Sequence, residues 1–145
     1  MTKQENELPR FEPIDHTADA GIKVYGKDLK ELFSNAALGL FDMIANLEKV
    51  NPDMERKVAV EASDREALLV NWLNELNFLF FTKREIYKVF EIENLTDTAL
   101  NATVRGEKID YDRHEIYTEV KAITYHYLYI KKTARGWEAQ IIFDI

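Results

Sequence analysis

The stretch GIKVYGKDLKELFSNAALGLFDMI, residues 21–44, joins two segments of different periodicity. Apolar and polar side chains alternate over 21–26, which predicts a short strand closed by Gly26. Asp28 followed by Glu31 has the spacing of a capping box, so a helix is expected to begin there. The apolar residues that follow recur at helical spacing: Leu29, Leu32, Phe33, Ala36, Ala37, Leu40, Phe41 and Ile44. The stretch therefore predicts a strand followed by a helix with one broad apolar face.

The next segment repeats this order of strand and helix. Residues 56–62, RKVAVEA, alternate and predict a second strand. The sequence SDRE that follows has capping-box spacing, with Ser63 as the expected cap and Glu66 as its partner. A second apolar stripe, expected to run to about Lys83, consists of Leu69, Trp72, Leu73, Leu76, Leu79 and Phe80.

The second half of the chain is rich in β-branched and aromatic residues and predicts four strands. These lie within residues 89–95, 99–107, 115–132 and 137–145. Strand, helix, strand and helix followed by a run of strands predicts an α+β domain. We expect two helices packed on one face of a largely antiparallel or mixed β-sheet.

Composition narrows the classes of function. The 145 residues suit one domain, and the net charge of −7 disfavours direct binding to a nucleic-acid backbone. Cysteine is absent, so thiolate catalysis and cysteine-bound zinc are excluded. The start MTKQENELPR has no apolar segment of a secretory signal, and no apolar run is long enough for a membrane span. A cytoplasmic protein with no membrane partner is expected.

Common catalytic and nucleotide-binding motifs are missing from the sequence. No Gly-x-Ser-x-Gly turn occurs, and no glycine-rich phosphate loop of either common type occurs. His114 lies in the polar stretch DYDRHE and is interpreted as a solvated loop residue. Strand alternation places Tyr125, Tyr127 and Tyr129 on one face, which favours a sheet surface over a base-stacking platform.

The motif DHTAD, residues 15–19, is the strongest candidate for a metal site. Asp15 and Asp19 supply the hard oxygen ligands that Mg²⁺ and Ca²⁺ prefer, and His16 lies between them. Five residues cannot supply six to eight ligands, so a partner segment is required. By composition the best donor is the end of the chain, where Asp144 and the α-carboxylate of Ile145 follow an apolar run. From the residues alone, a turn that uses Asp15 and Asp19 as cap residues is the simpler interpretation.

Four segments, the first two of which are continuous in the sequence, together resemble the archease family. They are DHTADAGIKVYG, GKDLKELFSNAALGLFDMI, TEVKAITYH and the terminal IIFDI, in that order. The resemblance covers residues 11–145, which would form the archease domain, with residues 1–10 as a polar N-terminal tail.

The resemblance implies an accessory role rather than catalysis. Archeases activate the RtcB-type tRNA-splicing RNA ligase, promote its guanylylation and repeated turnover, and can broaden its use of nucleotides. It implies a divalent-metal site built from Asp19, Asp144 and the carboxylate of Ile145, with Ca²⁺ preferred over Mg²⁺ or Mn²⁺. Ligase activation would require Asp19, Asp144 and Lys121, which lies in the motif KAITYH, while Asp15 and His16 would shape the loop.

Two other functions remain open at this point. A metal-dependent hydrolase could use Asp15 or Asp19 to position a metal-bound water. A chaperone-like binding module is the other alternative.

Overall fold

The structure, a computed structural model, describes residues 8–14 and 20–145. The strands are β1 (Phe11–Ile14), β2 (Ala20–Gly26), β3 (Met54–Glu61), β4 (Glu85–Leu95), β5 (Ala99–Lys108), β6 (Ala122–Thr133) and β7 (Gly136–Asp144). The helices are α1 (Leu29–Ile44) and α2 (Arg65–Lys83), with a 3₁₀ turn at Leu47–Lys49. The predicted α+β class is confirmed. Strand β1 was not predicted, because four residues with a proline show no clear alternation.

The strands form two separate antiparallel sheets rather than the single sheet suggested by the pattern. One sheet has the order β1-β2-β7-β6 and the other has the order β3-β5-β4. Helix α1 contacts β2 of the first sheet and β4 of the second, while α2 contacts β6 and β3. The helices therefore bury their apolar faces against both sheets, which explains why α1 is buried on most sides.

The link between the sheets is the segment 109–121, part of which was expected to be strand. Strand β6 begins at Ala122 rather than near Glu115. Residues 115–117 instead pack against the C-terminal end of α1. There Tyr117 N donates to Ile44 O at 2.7 Å, and Asn46 N donates to Glu115 O at 3.2 Å. These bonds use backbone groups at a helix end that lack partners within the helix.

Aspartates cap both long helices. Asp28 Oδ1 accepts from Glu31 N at 2.8 Å, and Glu31 Oε1 accepts from Lys27 N at 3.0 Å, so the expected start of α1 is confirmed. Helix α2 is capped by Asp64, whose Oδ1 accepts from Ala67 N at 2.8 Å, and not by Ser63 as predicted. Ser63 and Asp64 are adjacent and both carry a side-chain oxygen that can accept at an N-cap, so spacing alone did not distinguish the two caps.

His114 is buried, and its interpretation as a solvated loop residue is wrong. The ring is 4% exposed, its Nδ1 accepts from Asp110 N at 2.9 Å, and its Nε2 lies 3.0 Å from Glu107 Oε2. Because a backbone N–H can only donate, the ring proton lies on Nε2 and points to Glu107. Hydrogen bonds from Arg113 and from Asn51 N also hold the pKa of Glu107 down, at about 2. His114 therefore fixes the turn after β5.

A buried carboxylate links two strands of the second sheet. Glu85 is 1% exposed and accepts from Arg56 Nε and Nη2 at 2.6 and 2.8 Å. The Tyr87 hydroxyl also donates to it, and Lys108 Nζ lies 3.7 Å away. The bonds from Arg56 and then Tyr87 lower the pKa of Glu85 to about 2 despite its burial. The pair is therefore ionised and satisfied inside the fold.

Replacing Arg56 with Met should lower the free energy of unfolding by about 3–5 kcal/mol at neutral pH, because Glu85 would stay buried without its bidentate partner. The pKa of Glu85 lies below its ordinary value of 4.5, so the stabilisation is present above that pH and lost as pH falls toward 2. The difference between Arg56→Met and wild type should therefore shrink on acidification. Urea denaturation at several pH values measures both effects.

Arg105→Met is the matched control. The Arg56 and Arg105 side chains are equally exposed, at 34%, but the Arg105 partners Glu55 and Glu91 are 51% and 52% exposed. Exposed pairs contribute about 0–1 kcal/mol, so this variant should lose little stability. Equal losses in the two variants would contradict the role assigned to Glu85.

Candidate functional site

One end of the four-stranded sheet brings together distant parts of the chain. Strand β7 is central and pairs with β2 on one side and β6 on the other. In this register Ala20 lies opposite Phe143, and Ala122 lies opposite Asp144. The start of β2, the start of β6 and the end of β7 therefore lie together at one end of the sheet. We call this end the β7 edge.

Lys121 lies at the β7 edge beside Asp144. Its backbone N–H donates to Asp144 O at 2.7 Å, one residue before β6 begins. The side chains of Lys121 and Asp144 are exposed, and so is Ile145, the last residue of the sequence. Two residues predicted for ligase activation, 23 positions apart in sequence, are thus adjacent.

Two asparagines of α2 hold the segment that carries Lys121. Asn77 is 4% exposed, and its Nδ2 donates to Val120 O at 2.7 Å. One turn earlier, Asn74 Oδ1 accepts from Ile123 N at 3.2 Å. Residues on both sides of Lys121 are therefore anchored to the helix, which fixes the backbone while the lysine side chain stays exposed.

The prediction from sequence missed both asparagines. They lie among the residues of the predicted apolar stripe of α2, beside Leu73, Leu76 and Phe80, and the stripe assigns them no role. A polar residue on the buried side of a helix carries a signal, because a buried amide requires a hydrogen-bonding partner. The partner is main chain, which no side-chain pattern identifies.

A large bulge interrupts β6 beside the β7 edge. Thr124 pairs with Ile142 and Tyr129 with Gln140, so residues 125–128 lie opposite Ile141 alone. The predicted alternation of three tyrosines on one face is therefore wrong. Tyr125 and Tyr127 are 59% and 61% exposed, whereas Tyr129 is half-buried and bonded to Glu138.

Hydrogen bonds fix both sides of the bulge. Thr124 Oγ1 donates to Ile142 O at 3.0 Å and accepts from His126 N at 3.2 Å. Gln140 Nε2 donates to Tyr127 O at 3.0 Å. Tyr127 has a φ of 54°, in the left-handed region that residues with a bulky side chain seldom adopt. Such a conformation persists because the surrounding bonds determine it, and conformations of this kind cluster at functional sites.

The β7 edge offers oxygen donors of the type preferred by Ca²⁺ and Mg²⁺. Asp144 carries an exposed carboxylate, and Ile145 follows it. Over 8–14 and 20–145, no group of three or more His, Asp or Glu residues is close enough to hold a metal. The described residues thus fit part of a metal site and would need a further donor.

The predicted further donor, Asp19, lies outside the described residues, as do Asp15 and His16. Strand β2 begins at Ala20, the next residue in the sequence, and Ala20 lies opposite Phe143 at the β7 edge. Asp19 as a ligand stays a prediction.

Comparison with known proteins finds similarity over the same residues as the resemblance described above. A family model described as the Archease protein family (MTH1598/TM1083) matches residues 11–145. The protein archease of Methanosarcina barkeri is 39% identical over 140 residues, covering 94% of this chain and 96% of that protein. The protein archease of Pyrococcus abyssi is 42% identical over 142 residues, covering 95% of this chain and all of that protein.

Two solved structures share the fold. The solution structure of Methanobacterium thermoautotrophicum protein 1598 is 38% identical, with a TM-score of 0.78, and the match covers 94% of this chain and 99% of that one. A Thermotoga maritima crystal structure, described as an archease and possible chaperone, is 23% identical with a TM-score of 0.64. That match covers 92% of this chain and 96% of the other, and it shows similarity of fold alone.

Asn77→Ala should cost about 1–3 kcal/mol of stability, because the buried Val120 carbonyl would lose its donor. The same change should speed hydrogen exchange at the amides of Lys121 and Ile123, since the segment would lose an anchor. Exchange measured by NMR, together with urea denaturation, checks both expectations.

Asn71→Ala is the control on the same helix. Asn71 Nδ2 also donates to a backbone carbonyl, Glu61 O at 2.9 Å, but this residue is exposed. Its loss should cost less stability and leave exchange at Lys121 unchanged. Similar exchange at Lys121 in both variants would contradict the anchoring role of Asn77.

Proposed function

Because the chain belongs to the archease family, we propose that it acts in the cytoplasm as a non-catalytic activator of the RtcB-type tRNA-splicing RNA ligase. In this proposal it promotes ligase guanylylation and multiple turnover, and it can alter the ligase's nucleotide specificity. The absence of cysteine is compatible with a reducing compartment.

The observation that carries the proposal is that Lys121 and Asp144 lie next to each other at the β7 edge. An exposed cation and an exposed carboxylate stand on adjacent backbone segments that are bonded to each other at 2.7 Å. Both belong to the residues that the family resemblance assigns to ligase activation. A fixed backbone with free side chains suits a site that must enter another protein's active site with little ordering cost.

The proposed metal would be held by Asp19, Asp144 and the carboxylate of Ile145. Carboxylates are the ligands of hard cations, and Ca²⁺ accepts the irregular geometry of a site made from chain segments far apart in sequence more readily than Mg²⁺ does. When bound, the cation would provide positive charge next to phosphate groups, and Lys121 would contribute a second charge there. Mg²⁺ or Mn²⁺ would use the same oxygens.

The charge of the molecule supports a protein partner over direct contact with RNA. At a net charge of −7, the chain is attracted to a basic surface, and a ligase that holds tRNA needs such a surface. Complementary charge accelerates encounter and orients the partners. Activation then requires only that the protein bind the guanylylation-competent conformation of the ligase more tightly than the other conformations.

Lys121→Ala and Asp144→Ala should each lower the stimulation of ligase guanylylation at least tenfold, because each removes one charge from the β7 edge. The measurement is guanylylation of purified ligase with GTP and Mn²⁺, with and without this protein, followed by multiple-turnover joining of tRNA halves.

Lys132→Ala and Asp112→Ala are the matched controls. Both side chains are exposed, and both residues lie away from the β7 edge, at the far end of β6 and in the turn after β5. They should retain full stimulation. If wild-type protein leaves ligase turnover unchanged, the activator role is wrong. If wild-type protein stimulates the ligase and the Lys121 and Asp144 variants stimulate it equally well, the site is wrong.

Calcium titration tests the metal site separately from the ligase. Wild-type protein should bind one Ca²⁺ in isothermal titration, and Asp19→Asn, Asp144→Asn or a Gly-Ser extension after Ile145 should weaken binding at least tenfold. The extension keeps every side chain and removes only the free carboxylate at position 145. No heat of binding with Ca²⁺, Mg²⁺ or Mn²⁺ at millimolar concentration would overturn the metal assignment.

A further inference from the structure

An open groove lies at the end of the four-stranded sheet opposite the β7 edge. Its volume is about 1070 Å³. Its walls come from the residues just before β1, the end of β2 and its link to α1, helix α1 as far as Leu38, strand β4 and the turn between β6 and β7. Five cations line it: Arg10, Lys27, Lys30, Lys88 and Arg135. We call it the basic groove.

The charge of the basic groove contrasts with that of the molecule. Its lining holds five cations and one carboxylate among the described residues, a net charge of +4, in a protein of net charge −7. The single carboxylate, Glu31, accepts from Lys27 N at 3.0 Å. The rest of the molecule therefore carries −11, that is −7 minus +4.

The five cations are not neutralised within the described part of the chain. None of them has a carboxylate oxygen within 4.0 Å, whereas seven other Lys and Arg residues do. Lys30 Nζ donates to the backbone carbonyl of Glu93 at 3.0 Å, which leaves its charge unpaired. Uncompensated charges of one sign in a concave site raise the local concentration of the opposite ion.

Backbone contacts fix the walls of the groove. Ser34 Oγ donates to Phe90 O at 2.7 Å and joins α1 to β4. On the opposite wall, Gly136 has a φ of 131°, and a Cβ there would lie 2.4 Å from Gly26 O. The turn that carries Arg135 therefore packs closely against the backbone before Lys27, and both cations are held by the same contact.

The floor of the groove contains apolar side chains. Leu38, Val89 and Ile92 are half-buried and face this space. From Lys30 to Leu38 the helix rises by about 12 Å, which is the length of about four residues of extended chain. The groove is therefore long enough for a short peptide segment.

We propose that the basic groove binds a short, extended, acidic segment of a partner protein. Carboxylates of that segment pair with Lys27, Lys88 and the neighbouring cations, and an apolar side chain contacts Leu38 and Ile92. Charge-assisted bonds at a half-apolar surface give both affinity and orientation. This site is separate from the β7 edge, because six residue steps of β2 from Ala20 to Gly26 span about 20 Å.

A nucleic acid fits the groove less well. The aromatic residues that line the groove, Tyr25 and Phe90, are only 9% and 6% exposed, so they offer no ring for base stacking. An RNA longer than the groove would also meet the acidic remainder of the molecule.

A compact phosphate group is also disfavoured. Near the N-terminus of α1, Asp28 and Glu31 already accept from the free amides of Glu31 and Lys27. Two carboxylates at that position repel an added phosphate.

The test is a titration of the full chain, followed by two-dimensional NMR, with the peptide acetyl-Glu-Leu-Glu-Glu-amide. Addition of this peptide should change the chemical shifts of the backbone amides of Lys27 and Lys88. Acetyl-Lys-Leu-Lys-Lys-amide, a ten-residue uridylate RNA and inorganic phosphate are titrated in parallel and should shift these amides less.

Two double variants separate the groove from bulk charge. The double variant Lys27→Glu with Lys88→Glu should bind the acidic peptide at least tenfold more weakly than wild type does. Lys49→Glu with Lys83→Glu makes the same change in net charge at exposed cations outside the groove and should weaken binding far less. Lys30→Ala with Arg135→Ala is a milder groove variant and should also weaken binding.

Three results would overturn the proposal: no shift at the groove with the acidic peptide, equal weakening in the two charge-reversed variants, or tighter binding of RNA or phosphate at the same amides. None of these results depends on ligase activity. Ligase activation could therefore fail while this proposal stands, and the reverse also holds.

Discussion

The pairing of β7 on both of its sides is the constraint on which the candidate site depends. Because β2 and β6 each bond to β7 in a fixed register, Ala20, Lys121 and Asp144 must meet at one edge although they are far apart in sequence. The buried side chains of Ile141 and Phe143 hold that register, since a slip by one residue would turn them to the opposite face. Core packing therefore positions polar groups that take no part in the core.

The sequence predicted those features that depend on local physics. The apolar stripes identified both helices, the cap of α1 was predicted correctly and that of α2 was misplaced by one residue. The end of α2 at Lys83 was confirmed by the left-handed conformation of Arg84. Division into two sheets was not predictable from alternation, because it depends on which strands pair. The bulge after Thr124 and the burial of His114 were missed for the same reason: both depend on hydrogen bonds to distant backbone or side-chain groups.

The two ends of the four-stranded sheet differ in chemistry. At the β7 edge, exposed carboxylate oxygens and one lysine stand on a backbone held by α2, and at the other end five cations surround the basic groove. An antiparallel sheet has little dipole of its own, so the difference comes from the side chains. A small acidic protein can thereby present two surfaces of opposite preference to a large partner, about 20 Å apart.

Strand β6 also lies at the border of its sheet. Within the described residues it has β7 on one side and no strand on the other, and it is twelve residues long. A flat border strand of that length is a template for unwanted pairing between molecules. The four residues that leave the ladder at 125–128 divide it into two short pieces, so the bulge beside the candidate site also protects the protein from self-association through this strand.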